Sequence, residues 1–363
     1  MNTKELANLL TCTIPANLPV LIEGPMGLGK SEVIRQVNVR LDRVDAALYA
    51  STIDPVDASG LPMVLEVEGR KRYVRCLDDV LDGIVNATVP TTLRIEELGQ
   101  ATTSVQAALA PFFAPDRRLN GWTLSPHLSV VAATNSAHHR AGANPILTHI
   151  RSRVASTVHL QPALDPWLER AAQDGIDGAI TSFLKYSPAM LYELELLPKS
   201  KLEERKLTYE KVFSSGEGYT NPRSWYRVDQ LLKTGLDRTL YQETFAGTVG
   251  EVAATMFVSH LTHVRAKLDL HNIINGGKWK FPPASELALR WAFVFGLAAM
   301  AVKDTLDRLF EIAYDLHDQG QTEYAIVMAQ QVVLADPGFL HTEAMRKFGR
   351  SELAKIVLAT PRA

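Results

Sequence analysis

The sequence predicts an α/β fold, a mainly parallel sheet between helices organised around a phosphate-binding loop (P-loop), followed by an all-helical remainder. Three observations predict it. The octapeptide GPMGLGKS, Gly24 to Ser31, matches G-x-x-x-x-G-K-[ST]. Strand-like runs alternate with helix-like runs through the first 160 residues. Beyond Asp165 the β-like alternation stops and helical spacing takes over.

The loop has the setting that such a motif requires. Leu18-Pro19-Val20-Leu21-Ile22 reads as a strand before it, and Val33-Ile34, Val37 and Leu41 give helical spacing after it. Gly24, Gly27 and Gly29 let successive backbone N–H groups turn towards phosphate oxygens, with Pro25, Met26 and Leu28 as the intervening loop positions. The helix starting near Lys30 adds its positive end. Lys30 is the candidate contact to the β- and γ-phosphates, and the Ser31 hydroxyl is the candidate Mg²⁺ ligand. Chance produces this pattern in roughly one chain per hundred at this length and average composition, and the flanking strand and helix lower that further.

The remaining elements follow in order. Ala46–Thr52, Thr92–Ile95 and Leu128–Thr134 read as strands, with a helical stretch from Thr103 to Phe113 between the last two. Met63–Val67 and Arg72–Cys76, separated by Glu68-Gly69-Arg70-Lys71, read as a local hairpin. The charged run Lys199 to Lys206 reads as a solvated loop or helix face. The last third is helical, broken at Gly276-Gly277, Pro282-Pro283 and Pro337-Gly338.

Length and composition bound the function classes. A chain of 363 residues suggests two or three domains, and 46% hydrophobic with 21% charged residues is ordinary for a soluble globular protein. The formal net charge of −2 gives no electrostatic reason to expect a nucleic-acid partner. Cys12 and Cys76 fit neither a disulfide framework nor a zinc site and read as reduced, structural thiols. MNTKELANLL lacks an apolar core of signal-peptide length, and the longest apolar run, Trp291 to Val302, is too short to span a bilayer. It reads as a buried helix, and the expected location is cytoplasmic.

Three further segments complete a nucleotide site. Thr91-Thr92-Leu93-Arg94-Ile95-Glu96-Glu97-Leu98 is a strand ending in two carboxylates, about seventy residues after the phosphate loop. Strand alternation lets neighbouring side chains face different tasks. Glu96 is assigned to the metal side and Glu97 to polarising the attacking water. Val130 to Asn135, VVAATN, is an apolar strand whose terminal amide, Asn135, is placed to orient that water or touch the γ-phosphate. Ile146 to Val154, ILTHIRSRV, carries Arg151 and Arg153, either of which could present a guanidinium to a neighbouring subunit's γ-phosphate.

In this order the motifs resemble the AAA+ ATPases, in particular the MoxR-like branch and its dynein-related relatives. SVQAALAPFFAPDRRLNGWTLSPHLSVVAATN is similar to that family's stretch from the acidic motif through a β-hairpin insertion to sensor 1. STIDPVDASGLP, Ser51 to Pro62, resembles its Asp-Pro-x-Asp-x-x-Gly-x-Pro element. DPWLERAAQDGIDGAITSFLKYSP, Asp165 to Pro188, is similar to the start of the helical lid, and NPRSWYRV, Asn221 to Val228, to the lid's sensor 2. The resemblance covers residues 15 to about 235 and continues more weakly into Ala246 to Gly250.

The resemblance implies an AAA+ P-loop NTPase core at 1–163, an α-helical lid at 164–240 and a helical C-terminal extension at 241–363. It implies ATP and Mg²⁺ as cofactors, with Lys30 and Ser31 at the phosphates and metal and Glu97 as the catalytic glutamate. Asn135 matches sensor 1, Arg223 matches sensor 2, and Arg153 matches the arginine finger best, with Arg151 second. Two residues depart from the pattern. Glu96 stands where the family has Asp, and Arg94 puts a charge in a strand that is usually apolar. Both bear on turnover more than on binding. The implied function is an ATP hydrolase working as a ring, a hexamer of this chain. It would remodel, assemble or activate a protein partner, chaperone-like, and such partners often carry a von Willebrand factor A domain. The alternatives are a nucleotide-gated assembly scaffold with little hydrolysis, a stand-alone P-loop enzyme such as a small-molecule kinase, and a DNA-directed AAA+ motor.

Overall fold

Five parallel strands form the expected sheet, in the order β2-β5-β8-β1-β9. They are β1 (Val20–Gly24), β2 (Val44–Tyr49), β5 (Thr91–Glu96), β8 (Leu128–Asn135) and β9 (Ser156–His159). The structure is a computed structural model that describes residues 1–135, 144–196 and 216–360. The charged run Lys199 to Lys206 lies outside the described residues. The chain divides into two units, Met1–Gln161 and Pro162–Ala363.

In the first unit helices cover both faces of the sheet, as a buried parallel sheet requires. One face holds Leu21, Leu93, Ile95, Val130 and Ala132 against α3 (Pro55–Ser59), α4 (Asp79–Val85), α5 (Thr103–Leu109) and α6 (Thr148–Arg151). The opposite face is packed by α2 (Lys30–Arg40), which touches β2, β5 and β8, with α1 (Thr3–Thr13) against it. Because side chains alternate along a strand, Thr92, Arg94 and Glu96 of β5 fall on this α2 side.

The structure corrects several expected boundaries. β2 stops at Tyr49 because both the amide and hydroxyl of Thr52 donate to the Tyr49 carbonyl and turn the chain. The helix expected from Thr103 to Phe113 ends at Leu109 and continues as a 3₁₀ turn, Ala110–Phe113, since Pro111 lacks an N–H. The local hairpin is confirmed as β3 (Leu61–Val67) antiparallel to β4 (Arg70–Cys76). Its turn is only Glu68-Gly69, with φ of 53° and 71°, the positive pair that a two-residue I′ turn demands. Arg70 and Lys71 therefore belong to the strand. A second small hairpin, β6 (Arg118–Leu119) with β7 (Trp122–Thr123), turns at Asn120-Gly121. The edge strand β9 was not anticipated from sequence.

The second unit is helical throughout its described residues, and one apolar cluster runs from Trp167 to Ala354. At its centre Phe183, Trp225 and Phe257 have ring centroids 5.4–5.5 Å apart. Trp225 comes from the 164–240 segment and Phe257 from 241–363, so the two segments share one core. The apolar run from Trp291 is buried only to Ala298, where the helix Leu287–Ala298 ends, and Val302 is 55% exposed. Among the described residues no helix is long and apolar enough to cross a membrane. Cys76 is half-buried, but Cys12 is exposed, which removes it from any structural role in a core.

This core encloses a titratable group. His260 is buried, with Nε2 3.1 Å from the Ser182 hydroxyl. Desolvation, helped by the nearby charge of His263, lowers its pKa to about 4. An unfolded His protonates near 6.5, so the unfolded state binds the extra proton first as pH falls. Stability is therefore full above about pH 6.5 and declines towards pH 4. By about pH 5 the loss should reach about 2 kcal/mol. Urea unfolding at neutral pH and about pH 5 should show that loss in the parent and not in His260→Gln. Equal losses in both would exclude His260 as the cause.

Candidate active site

The phosphate loop leaves β1 at its carboxyl end and enters α2 as the motif predicts. Gly27 and Gly29 have φ of 77° and 86°, in the left-handed region where a Cβ costs about 1–2 kcal/mol. Gly29 is also the N-cap of α2, so no capping side chain occupies the first-turn N–H groups. Those donors and the helix dipole suit an anion. Lys30 and Ser31 open the helix, with Lys30 buried and Ser31 half-buried.

Sheet order brings the expected partners to this end. Gly24 pairs in register with Asn135, so the loop begins beside the end of β8. The Lys30 ammonium donates to the Gly24 and Pro25 carbonyls, both at 2.8 Å, and to Asn135 Oδ1 at 3.0 Å. On the other side of β8 lies β5, ending at Glu96. Loop, amide and carboxylates thus occupy consecutive strand ends at the carboxyl edge of a parallel sheet, where such folds bind ligands.

The two carboxylates differ in a way that simple alternation did not foresee. Glu96 closes β5 and is buried. Glu97 lies past the strand, exposed, at φ 57° and ψ 32°. A non-glycine residue held there carries roughly 1–3 kcal/mol of strain, and such residues concentrate at functional sites. The Ser51 hydroxyl, just beyond β2, donates to Glu97 Oε2. The following turn is fixed by the Gly99 amide on Thr134 Oγ1 at 3.0 Å.

Glu96 has a partner invisible to motif reading. Arg94 Nη1 donates to Glu96 Oε1 at 2.5 Å, while its Nε and Nη2 grip the two oxygens of Asp45 on β2 at 3.2 and 2.8 Å. Asn38 of α2 donates to the same Asp45 at 2.8 Å. Arg94 is only 4% exposed. Burial alone would lower its pKa, but the hydrogen bonds and charges of Asp45 and Glu96 outweigh this and raise it above the ordinary value. The guanidinium stays charged.

No protein-family model matches the sequence, and no curated protein matches it. Solved structures similar to this chain include Thermotoga maritima RuvB, a Holliday junction branch migration motor, at 14% identity over 79% of each chain and a TM-score of 0.37. The P216G mutant of the same protein aligns over 99% of this chain and 97% of that one, at 12% identity and a TM-score of 0.35. A Cytophaga hutchinsonii protein described as a candidate ATPase aligns at 14% identity over 71% and 80% of the two chains, with a TM-score of 0.34.

The two arginine candidates are placed differently. Arg151, in the last turn of α6, donates to Glu23 Oε1 of β1, and His159 Nδ1 lies 3.3 Å from Glu23 Oε2. Arg153 follows α6, is exposed, and makes no ion pair or side-chain hydrogen bond among the described residues. It lies three positions before Ser156, which pairs with Val20 at the start of β1. The loop leaves β1 from the other end, about 13 Å away at the usual strand rise. Arg223 sits in the second unit, exposed, in the first turn of the helix Pro222–Lys233. That helix is capped by Asn221 accepting from the Ser224 amide at 3.0 Å, and Trp225 Nε1 anchors it to the Met190 carbonyl at 2.8 Å.

The residues present fit ATP and Mg²⁺. A glycine cradle that Cβ atoms would strain, a buried ammonium and an open helix N-terminus suit polyphosphate. Among the described residues no three His, Cys, Asp or Glu side chains gather into a metal cage. Mg²⁺ needs none, because it keeps several waters and takes one or two protein oxygens beside phosphate. Ser31 and Glu96 are the groups here that would hold it. Sequence reasoning missed Ser51, Asp45 and Glu23, the partners of Glu97, Arg94 and Arg151, and Asn38, which holds Asp45.

Proposed function

We propose that this chain is a MoxR-like AAA+ ATPase that couples ATP binding and hydrolysis to remodelling, assembly or activation of a protein partner as a hexameric ring. The observation that carries the reading is the contact between Lys30 and Asn135, which joins phosphate loop and sensor amide one strand away from Glu96 and Glu97. Bound Mg²⁺ would supply charge neutralisation at the phosphates, held by Ser31 and Glu96. Lys30 binds the phosphates, Glu97 takes the proton from the attacking water, and Asn135 orients it. Arg153 supplies the finger. It lies near the opposite end of β1 from its own loop, and its side chain has no ion pair or hydrogen bond among the described residues, whereas Arg151 is already engaged by Glu23. Arg223 reads the nucleotide from the lid. The partner is a protein, with a von Willebrand factor A domain as the first candidate, because the net charge of −2 does not favour DNA.

A second reading, a nucleotide-gated scaffold with little hydrolysis, draws on one observation, the engagement of Glu96 by Arg94. Steady-state turnover measured beside nucleotide-dependent assembly separates the two. Both require nucleotide binding, so Lys30→Ala is the first test. It removes a charge-assisted contact of roughly 1.5–3 kcal/mol, and ATP affinity should fall about tenfold or more. Unchanged affinity by calorimetry would overturn the phosphate-loop reading itself.

A further inference from the structure

Arg94 is in the wrong kind of place for an arginine, inside a central strand of a covered sheet, and its surroundings account for it. Position 96 carries one methylene more than the aspartate pattern, and a longer side chain has one more torsion to fix. The guanidinium removes that freedom. It is itself held bidentately by Asp45 and indirectly by Asn38, from the helix that begins with Lys30 and Ser31. The chain of contacts therefore runs from the phosphate-loop helix through β2 to the end of β5. Of the two Glu96 oxygens, Oε1 is taken by Arg94, and Oε2 accepts no hydrogen bond among the described residues. The three charged groups, Arg94, Asp45 and Glu96, sum to −1.

We propose that Arg94 is a positioning residue for the magnesium side of the site. Its guanidinium clamps Oε1 of the longer Glu96 so that Oε2 alone faces the hydrated cation. Arg94 and Glu96 then form one functional unit, a substitute for the shorter aspartate, and neither can be changed alone without loss. The proposal rests on the ATPase reading above, in its assignment of Glu96 to Mg²⁺.

The test reads the Mg²⁺ dependence of ATP binding, by titrating a fluorescent ATP analogue at fixed protein and varied Mg²⁺. Glu96→Asp, which keeps the Arg94–Asp45 pair, cannot reach both Arg94 and the cation. It should raise the Mg²⁺ concentration for half-saturation about tenfold or more, the range seen when outer-shell partners of a metal site are lost. The paired variant Arg94→Met with Asp45→Asn removes the clamp without stranding the charge of Asp45, and it keeps the net charge of the group at −1, carried by Glu96. It should produce a similar rise while metal-free ATP binding stays at the parent level. Adding Glu96→Asp to that pair should cost little more, because interacting residues are non-additive. Arg94→Lys, which keeps the charge but loses the fork, should fall between parent and paired variant, and it carries the comparison if the paired variant fails to fold. A parent-like titration for Glu96→Asp, or effects that simply multiply, would overturn the proposal. Failure of the ATPase reading looks different: the parent itself would bind no ATP, or bind it indifferently to Mg²⁺ and Lys30.

Discussion

Replacing Arg153 with Ala should abolish turnover while leaving ATP binding by individual protomers nearly unchanged. An arginine finger acts on charge that develops in the transition state, and its loss costs about 10³–10⁵ in rate. The placement of Arg153 explains why binding is spared. It is exposed, beyond α6 and at the amino end of edge strand β9, whereas the loop leaves the carboxyl end of neighbouring β1. Arg151→Ala should behave differently, because it strips the guanidinium from Glu23, a buried carboxylate on β1. The expected signature is lost thermal stability with turnover retained per folded molecule. Phosphate release assayed beside equilibrium binding distinguishes these outcomes. If Arg151→Ala alone loses turnover with folding intact, the two assignments exchange places.

Glu97→Gln should separate binding from hydrolysis just as sharply. The amide keeps the size of the side chain and can still accept from the Ser51 hydroxyl, so the loop geometry persists. What disappears is the negative charge to which the proposed function assigns the proton of the attacking water, a contribution of about 10²–10⁴ in rate. ATP should bind and remain intact, observable as unhydrolysed nucleotide co-eluting with the protein. Normal turnover in this variant would move the base elsewhere. Ser51→Ala is the companion change. It frees Glu97 without removing it and should alter the rate far less than Glu97→Gln.

Much of the architecture was legible because its signals are local. Glycines at Gly27 and Gly29 encode positive φ directly, and Lys30 and Ser31 follow at fixed spacing. Asn135 stood out as a polar end to an apolar strand. What could not be read was pairing across the sheet. Arg94 reads as an intruder in the sequence because Asp45 is 49 residues away and meets it only through the β2–β5 register. Glu97 and Glu96 do face different surroundings, but the cause is not alternation: the chain leaves the β-region at Glu97, and alternation holds only within a strand. β9 went unseen because four residues with an exposed His159 carry little hydrophobic pattern; its identity comes from pairing with β1. The resemblance ranks Arg153 above Arg151 for the finger, but it could not show that Arg151 is held by Glu23, 128 residues away in sequence.

The central claim, a ring in which one subunit completes the site of the next, has a direct test in mixed subunits. Arg153→Ala protomers keep an intact phosphate loop, and Lys30→Ala protomers keep an intact finger. Each alone should be inactive. Combined in equal amounts under assembling conditions, about a quarter of head-to-tail interfaces should pair a good loop with a good arginine. Steady-state ATP hydrolysis by the mixture should then recover to a corresponding fraction of the parent rate. If mass photometry confirms co-assembly and the mixture remains as inactive as its components, the trans role of Arg153 is contradicted. If no assembly forms with or without ATP, the ring is contradicted as well.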